Sequence, residues 1–214
     1  MKVEIKSCLE GAKSAEGIAV IIDVINASST IVECFEKGAK EVVPVDSLKK
    51  ALKIKKQGDL ICGEVKHFRK VDFYNSPHYV NADVKDKRII IKTDAGTKGI
   101  LGAKKAKEVL IGCFLNAPSV CDYLKQKNTE KVALVPMGDY GKRKNVEDET
   151  CAIYLKTLLE NKKPENFEIA KNKINRGSFR NIFRSIFFRK QIEKSLRLDT
   201  SKKVPKFVNG RLVA

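Results

Sequence analysis

The feature that most restricts this chain is a short apolar run, Ile18-Ala19-Val20-Ile21-Ile22, that ends on an acidic residue, Asp23. All of it except Ala19 is β-branched. A run of that length with no polar alternation predicts a strand covered on both faces, the kind found in parallel sheets. A helical pattern follows, with Ile31, Val32, Cys34 and Phe35 apolar, Glu33, Glu36 and Lys37 polar, and Gly38 as its stop. The unit then recurs. Glu41 to Val45, Leu60 to Cys62, Arg88 to Lys92, Glu108 to Cys113 and Lys131 to Pro136 read as strands. Leu48 to Gln57, Lys98 to Ala106, Asn116 to Lys127 and Glu149 to Leu159 read as helices. This alternation predicts an α/β fold, three layers α/β/α about a largely parallel or mixed sheet. Met1 to Ile5 reads as an edge strand and Lys6 to Gly17 as loop. Val65 to Asn81 is too long for a plain connection, and its aromatics argue for order.

From Asn161 the composition shifts. Residues 1–160 carry a net charge of +6 and residues 161–214 a net of +11. Phe179, Ile182, Phe183, Ile186 and Phe187 recur at helical spacing among Arg180, Arg184, Arg189 and Lys190, an amphipathic basic helix. Val204 to Val213 reads as a terminal hairpin about Asn209-Gly210. The expectation is one domain over 1–214, with the basic segment from about 165 to 214 packed on it. A basic helix also suits nucleic acid or a membrane surface, but the chain carries no signature of a common nucleic-acid module. Neither partner is expected.

The chain has no apolar run of about 18 residues, and Met1-Lys2-Val3-Glu4-Ile5 is no signal peptide, so a cytoplasmic location is expected. None of the six cysteines forms a C-x-x-C pair, which excludes zinc-ribbon and thioredoxin readings. Most of them read as buried free thiols. With only His67 and His78, any metal has to be held by oxygen, which favours Mg²⁺ or Mn²⁺.

Several strand ends carry acidic, amide or hydroxyl groups: Asp23; Glu64; Asp94 with Gly96 and Thr97; Asn116; and Asp139, followed by Glu147 and Asp148. In a mainly parallel sheet these ends share one edge, where α/β proteins bind ligands. After Asp23 come Ser28, Ser29 and Thr30 at a helix start, groups that suit an anion or simply cap the helix. Carboxylates beside such a start suggest a metal-assisted phosphate-ester site.

Taken in order, these segments resemble the 2-phosphosulfolactate phosphatases, the ComB-like family of coenzyme M biosynthesis. Asp23 to Thr30 is similar to its Asp-Val-Leu-Arg-Ala-Thr-Ser-Thr segment. Gly63-Glu64 with Asn75-Ser76-Pro77 resembles its Gly-Glu-Arg and Asn-Ser-Pro segments, and Thr93 to Lys98 its Thr-Thr-Asn-Gly-Thr-Arg. Asn116-Ala117, Glu147-Asp148 with Cys151-Ala152, Leu198-Asp199, Val204-Pro205 and Gly210 to Val213 continue the likeness over nearly the whole chain. The resemblance implies Mg²⁺ and hydrolysis of 2-phospho-3-sulfolactate, or a related small phosphorylated and sulfonated acid, to sulfolactate and phosphate. It implies Asp23, Glu147 and Asp148 as catalytic groups and Asp23, Glu64 and Asp148 as metal ligands. It implies Asn26, Ser28, Ser29, Thr30, Asn75, Gly96, Thr97, Lys98 and Asn116 around the substrate. Asn26 and Val65 stand where the family usually has Arg, Ala95 where it has Asn, and Lys98 where it has Arg. Asn and Val cannot reproduce an arginine fork on an oxyanion; Lys66, Arg69 and Lys98 are the expected replacements for its charge. The competing expectations are a non-catalytic relative that binds an anionic metabolite, and a basic nucleic-acid-binding protein.

Overall fold

The computed structural model describes residues 1–64, 69–164, 167–168, 171–172, 174 and 186–214. Ten strands form one mixed sheet: β1 (Lys2–Ile5), β2 (Ile18–Ile22), β3 (Glu41–Pro44), β4 (Leu60–Gly63), β5 (Phe73–Tyr74), β6 (Arg88–Lys92), β7 (Glu108–Gly112), β8 (Lys131–Pro136), β9 (Lys206–Val208) and β10 (Arg211–Val213). Seven α-helices lie among the described residues: α1 (Cys8–Lys13), α2 (Ala27–Glu36), α3 (Leu48–Ile54), α4 (Gly96–Gly102), α5 (Ala117–Gln126), α6 (Val146–Leu159) and α7 (Ile186–Ser195).

The sheet order is β1-β8-β2-β7-β9-β10-β3-β6-β4-β5. It consists of two parallel halves. In one, β8 lies between β1 and β2, and β7 pairs with β2. In the other, β6 lies between β3 and β4, and β5 pairs with β4. The hairpin β9–β10 joins them, and each joint is one antiparallel pair, Leu110 with Lys206 and Leu212 with Val42. Three antiparallel steps separate β7 from β3, so the halves run in opposite senses. Their C-terminal ends still meet, because Asp23 after β2 accepts a hydrogen bond from Gly96 after β6.

Side-chain alternation explains the three layers. Ala19 and Ile21 of β2 join a core that also holds Val42, Ile89, Ile91, Ile111 and Val135, so this face runs through both halves. Helices α1, α2 and α4 cover it through Ala12, Ile31, Phe35 and Ile100. The opposite face is divided. Ile18, Val20 and Ile22 pack under α5 and α6, whereas Ile61 and Ile90 pack under α3. All five residues of β2 are buried, as a doubly covered strand requires; each large aliphatic there contributes roughly 1.5–3 kcal/mol by leaving water. α4 starts from β6 but lies against β2 of the other half. A Cβ on its Gly99 would fall 2.4 Å from Met137 Sδ and 3.1 Å from Ile21 Cγ2.

The sequence segmentation holds for most strands and helices. Lys6 to Gly17 is a departure: it contains α1. Its Gly11 weakens helix propensity, so the pattern alone is silent. Packing stabilises the helix, because Gly11 and Ala12 are buried and a Cβ on Gly11 would strike the Lys6 carbonyl at 1.9 Å. α3 and α4 end earlier than expected, at Ile54 and Gly102, and α6 begins earlier, where Asn145 Oδ1 accepts from the Asp148 amide. The long 65–81 stretch carries β5 and a 3-10 turn at Pro77–Tyr79. Five of the cysteines are buried and Cys8 is half-buried, all free.

Phe179, Ile182, Phe183, Arg180 and Arg184 lie outside the described residues, as do Val65 and Lys66. Elsewhere in the basic segment, Ile174, Ile192 and Leu196 are buried with the β2 half. Arg189 and Lys190 are exposed. The Asn209-Gly210 turn has φ of 50° and 83°, the left-handed pair that a two-residue hairpin favours. The hairpin itself is no appendage, since Leu212 is 0% exposed within the core shared by both halves. Leu212→Ala should therefore lower unfolding free energy by about 2–5 kcal/mol, the range for a core leucine. Urea titration checks this; a loss below about 0.5 kcal/mol would place the hairpin at the periphery.

Candidate active site

Asp23 is buried, 7% exposed. Its Oδ2 accepts from the Gly96 amide at 2.7 Å and its Oδ1 from the Ala27 amide at 3.4 Å. Ala27 opens α2 and Gly96 opens α4. The carboxylate thus lies between two helix N-termini, where free amides and the helix dipole favour an anion. Neither helix is capped by its own N-cap side chain. Glycine is required at 96, because a Cβ there would sit 2.5 Å from Ala27 Cβ and 2.9 Å from Asp23 Oδ2. Burial outweighs these donors. It raises the Asp23 pKa to about 7, with the charges of Glu64 and Glu147 adding to it and the Ala27 and Gly96 amides opposing it.

Asp148, in the first turn of α6, is 1% exposed. Its two oxygens accept from the Val24 and Gly138 amides, each at 2.8 Å. It ties the ends of β2 and β8 to α6. Burial, and then the charge of Asp23, push its carboxyl well above the usual range. Glu64 follows β4. Its Oε1 accepts long bonds of 3.4 Å from Asn75 Nδ2 and the Asp94 amide. Burial raises its pKa, then the charge of Asp94; Lys92 acts in the opposite direction. Glu147 is half-buried beside this group and raises both Asp23 and Asp148.

Three of the four hydroxyls expected to cradle an anion are committed to the fold. Ser28 Oγ accepts from the Asp23 amide and donates to the Ile21 carbonyl, and Ser29 Oγ donates to the Val24 carbonyl. Thr97 Oγ1 accepts from the Thr93 amide and donates to the Thr93 carbonyl, closing the turn before α4. Thr30 Oγ1 is buried with no partner among the described residues. Asn116 is fully buried; its amide binds the Cys113 N–H and the carbonyls of Ile111 and Lys203. It fastens the C-terminal segment to β7. Lys98 is exposed. Asn26 and Asn75 each hold a buried Oδ1 with no hydrogen-bond partner among the described residues.

Three contributors escaped the sequence reading. Gly138 supplies an amide, which no side-chain pattern reveals. Lys92 ends β6 and pairs with Asp94 at 2.6 Å. Lys194 of α7 lies 2.7 Å from both Glu33 Oε1 and the Pro77 carbonyl, and so clamps the Asn75–Pro77 segment. A lysine at the end of an apolar strand was the available signal for Lys92. Lys194 had none, being far away in sequence.

Hydrogen-bond acceptors exceed donors here: several carboxylates with raised pKa values and two orphaned amide oxygens. Such a site fits a cation. Among the described residues no group of three or more His, Cys, Asp or Glu side chains is arranged to hold a metal ion. That argues against a closed protein cage but suits Mg²⁺, which needs one or two carboxylates and keeps water and phosphate oxygens for the rest.

Carboxylates and helix starts gathered where strand ends converge define an α/β protein with a polar ligand site at that edge. The chain belongs to the 2-phosphosulpholactate phosphatase family, a group of phosphoric monoester hydrolases, whose family model matches residues 4–210. It is 34% identical over 207 residues to a protein of Thermotoga petrophila, covering 90% of this chain and 89% of that one. It is 32% identical over 180 residues to one of Clostridium novyi, covering 79% and 76%. Both relatives are named probable 2-phosphosulfolactate phosphatase. Among the described residues no helix is long and apolar enough to cross a membrane.

The raised pKa values have a measurable consequence. Folded Asp23 keeps its proton up to about pH 7, whereas an unperturbed aspartate loses it near 3.8. Between those limits the native state binds more protons than the unfolded one, so this group's stabilising effect is complete below about pH 4 and is lost as pH rises to about 7. Asp148 acts in the same sense. In chelator-treated protein, Asp23→Asn removes the ionisation, so its stability relative to the unaltered protein should climb across that range. Melting temperatures of both proteins from pH 4 to 7.5 test this; a difference that stays flat with pH refutes the buried acid.

Proposed function

We propose that this protein is a Mg²⁺-dependent phosphatase that hydrolyses 2-phosphosulfolactate, or a closely related phosphorylated acid, to the free hydroxy acid and inorganic phosphate, as a step of coenzyme M biosynthesis. The observation that carries the reading is the Asp23 carboxylate, buried between two helix N-termini and electrostatically coupled to Glu64, Glu147 and Asp148. Membership of the family and the names of the relatives support the substrate.

Asp23 and Glu64 are the residues that would hold Mg²⁺, with the orphaned oxygens of Asn26 and Asn75 as neutral donors beside them. When bound, the ion supplies charge neutralisation of the phosphoryl oxygens. Asp148 has a different part. It is 1% exposed and both its oxygens accept amides at 2.8 Å, whereas Asp23 is 7% exposed and its Oδ1 accepts only a long bond of 3.4 Å, so Asp148 would position the turn that carries Asp23. Glu147, half-buried and next to these acids, would take the proton of the attacking water. The water oxygen bonds to phosphorus as the ester P–O bond breaks, and the departing alkoxide takes up a proton to become the product hydroxyl. Asn75 and the Asp94 amide would keep the carboxyl of Glu64 in place.

Phosphate release from phosphosulfolactate and a panel of phosphorylated acids, with Mg²⁺ and after full chelation, tests the proposal. Turnover should require the divalent ion; undiminished rates after chelation would exclude the metal. Asp23→Asn should lower kcat/KM at least about a hundredfold, the scale of losing a major electrostatic group, while the far-UV spectrum is unchanged. A variant with near-normal rates removes Asp23 from the site. Absence of phosphate release from every member of the panel, with Mg²⁺ present, would favour a non-catalytic binder instead.

A further inference from the structure

Lys92 is a costly residue where it stands. It ends β6, whose Ile89, Ile90 and Ile91 are all fully buried. Its own side chain is only 12% exposed, and lysine is almost never buried unless it is paired. Its partner is Asp94, two residues on, at 2.6 Å. That contact uses one of three ammonium donors. Among the described residues nothing else accepts from it, so two donors remain in a part-buried place. The register puts Lys92 opposite Gly63, next to Glu64. It is therefore a cation at the rim of an acidic, acceptor-rich site. A phosphorylated acid brings more anionic groups there than the phosphoryl group being transferred. Lys98, the other lysine of this turn, is exposed and on the next helix.

We propose that Lys92 binds the oxyanion of the substrate that is not transferred, a carboxylate or a sulfonate, and so selects phosphorylated acids over simple phosphate esters. Asp94 is the internal counter-ion that holds the ammonium in place before the ligand arrives, and the ligand's oxyanion takes the two unused donors. This rests on the phosphatase reading of the same site, and it assigns the selectivity to a residue that composition and motif leave unmarked.

The test uses Lys92→Met, Lys92→Gln and Lys92→Arg in the full chain, with melting temperatures to establish folding; Gln serves if Met fails to fold. On phosphosulfolactate, Met or Gln should raise KM about ten- to a hundredfold, the span expected for a lost charged hydrogen bond, with kcat within about threefold. Arg should restore most of the affinity. On phenyl phosphate, which carries no second anion, KM should change less than about twofold. 2-Phospholactate separates the two sources: an equal rise assigns Lys92 to the carboxylate, and no rise assigns it to the sulfonate. Equal losses on phenyl phosphate, or no loss on any ester, overturn the proposal. If the unaltered protein hydrolyses none of them, the phosphatase reading has failed on its own. Calorimetric titration with sulfolactate then decides for Lys92: weaker binding by the Met variant supports it, and equal affinity, or no binding by either protein, overturns it.

Discussion

One carboxylate holds the two halves of the molecule together at the place where they meet. Asp23 leaves the end of β2 and accepts amides from the first residue of α2 and the first residue of α4. α2 belongs to the β2 half and α4 follows β6 of the other. The bond to Gly96 is therefore long-range, and it works only because position 96 has no side chain. Asp148 extends the tie, binding Val24 next to Asp23 and Gly138 after β8. Two buried acids thus satisfy four backbone donors at three strand ends. Removing a buried acceptor would strand those donors, at roughly 1–3 kcal/mol each. The same two acids are mutually repulsive and desolvated, which raises both pKa values. The arrangement is structurally favourable and electrostatically tense, and a bound cation would relieve the second without undoing the first.

The second constraint is the seam. Each half is a parallel unit, but the joint is made by the last strands of the chain. β9 and β10 touch β7 and β3 through one residue pair each. The continuous core face under α1, α2 and α4 cannot close until residues 206–213 are in place. Asn116 reinforces the closure, because its side chain donates to the Lys203 carbonyl just before β9. Contacts of such sequence separation form late and slowly. A basic C-terminal region that looks like a tail in composition is, in its last residues, the middle of the sheet.

Much of this was legible in sequence and some was not. β2, β6 and β8 were readable to the residue, because doubly buried strands are continuous β-branched runs. Boundaries failed where backbone rather than side-chain pattern decides them, as at α4, whose start is fixed by Thr93–Thr97 bonding and whose N-terminus faces Asp23. α1 was missed because packing overrides a weak propensity. The acids of the site were visible as polar residues at strand ends. The roles of the hydroxyls were not: Ser28, Ser29 and Thr97 turn inward to carbonyls and amides, and sequence cannot tell a capping hydroxyl from a ligand-binding one. The opposite senses of the two halves were out of reach, since they rest on the pairings of Leu110 with Lys206 and of Leu212 with Val42, far apart in sequence.

The charge distribution draws these points together. The chain carries a net +17, yet the cluster around Asp23 is acidic. A site built to bind an oxyanion by protein cations alone would show arginines or lysines at its centre, and here Asn26 stands beside Asp23 in that place. Neutral amides cannot offset the carboxylates that surround them, so an anionic ligand approaching the centre meets like charge unless a cation comes with it. The surface excess of lysine acts at longer range and raises the local concentration of anions without selecting among them. Selection needs a fixed, desolvated charge, and the pairing of Lys92 with Asp94 supplies one at the rim. A centre with Asn26 rather than a cation beside Asp23 is thus compatible with anion recognition when the positive charge lies outward, divided between an ion and a part-buried lysine. In the proposed mechanism that division would also separate the tasks, the centre neutralising the group that reacts and the rim reading the group that does not.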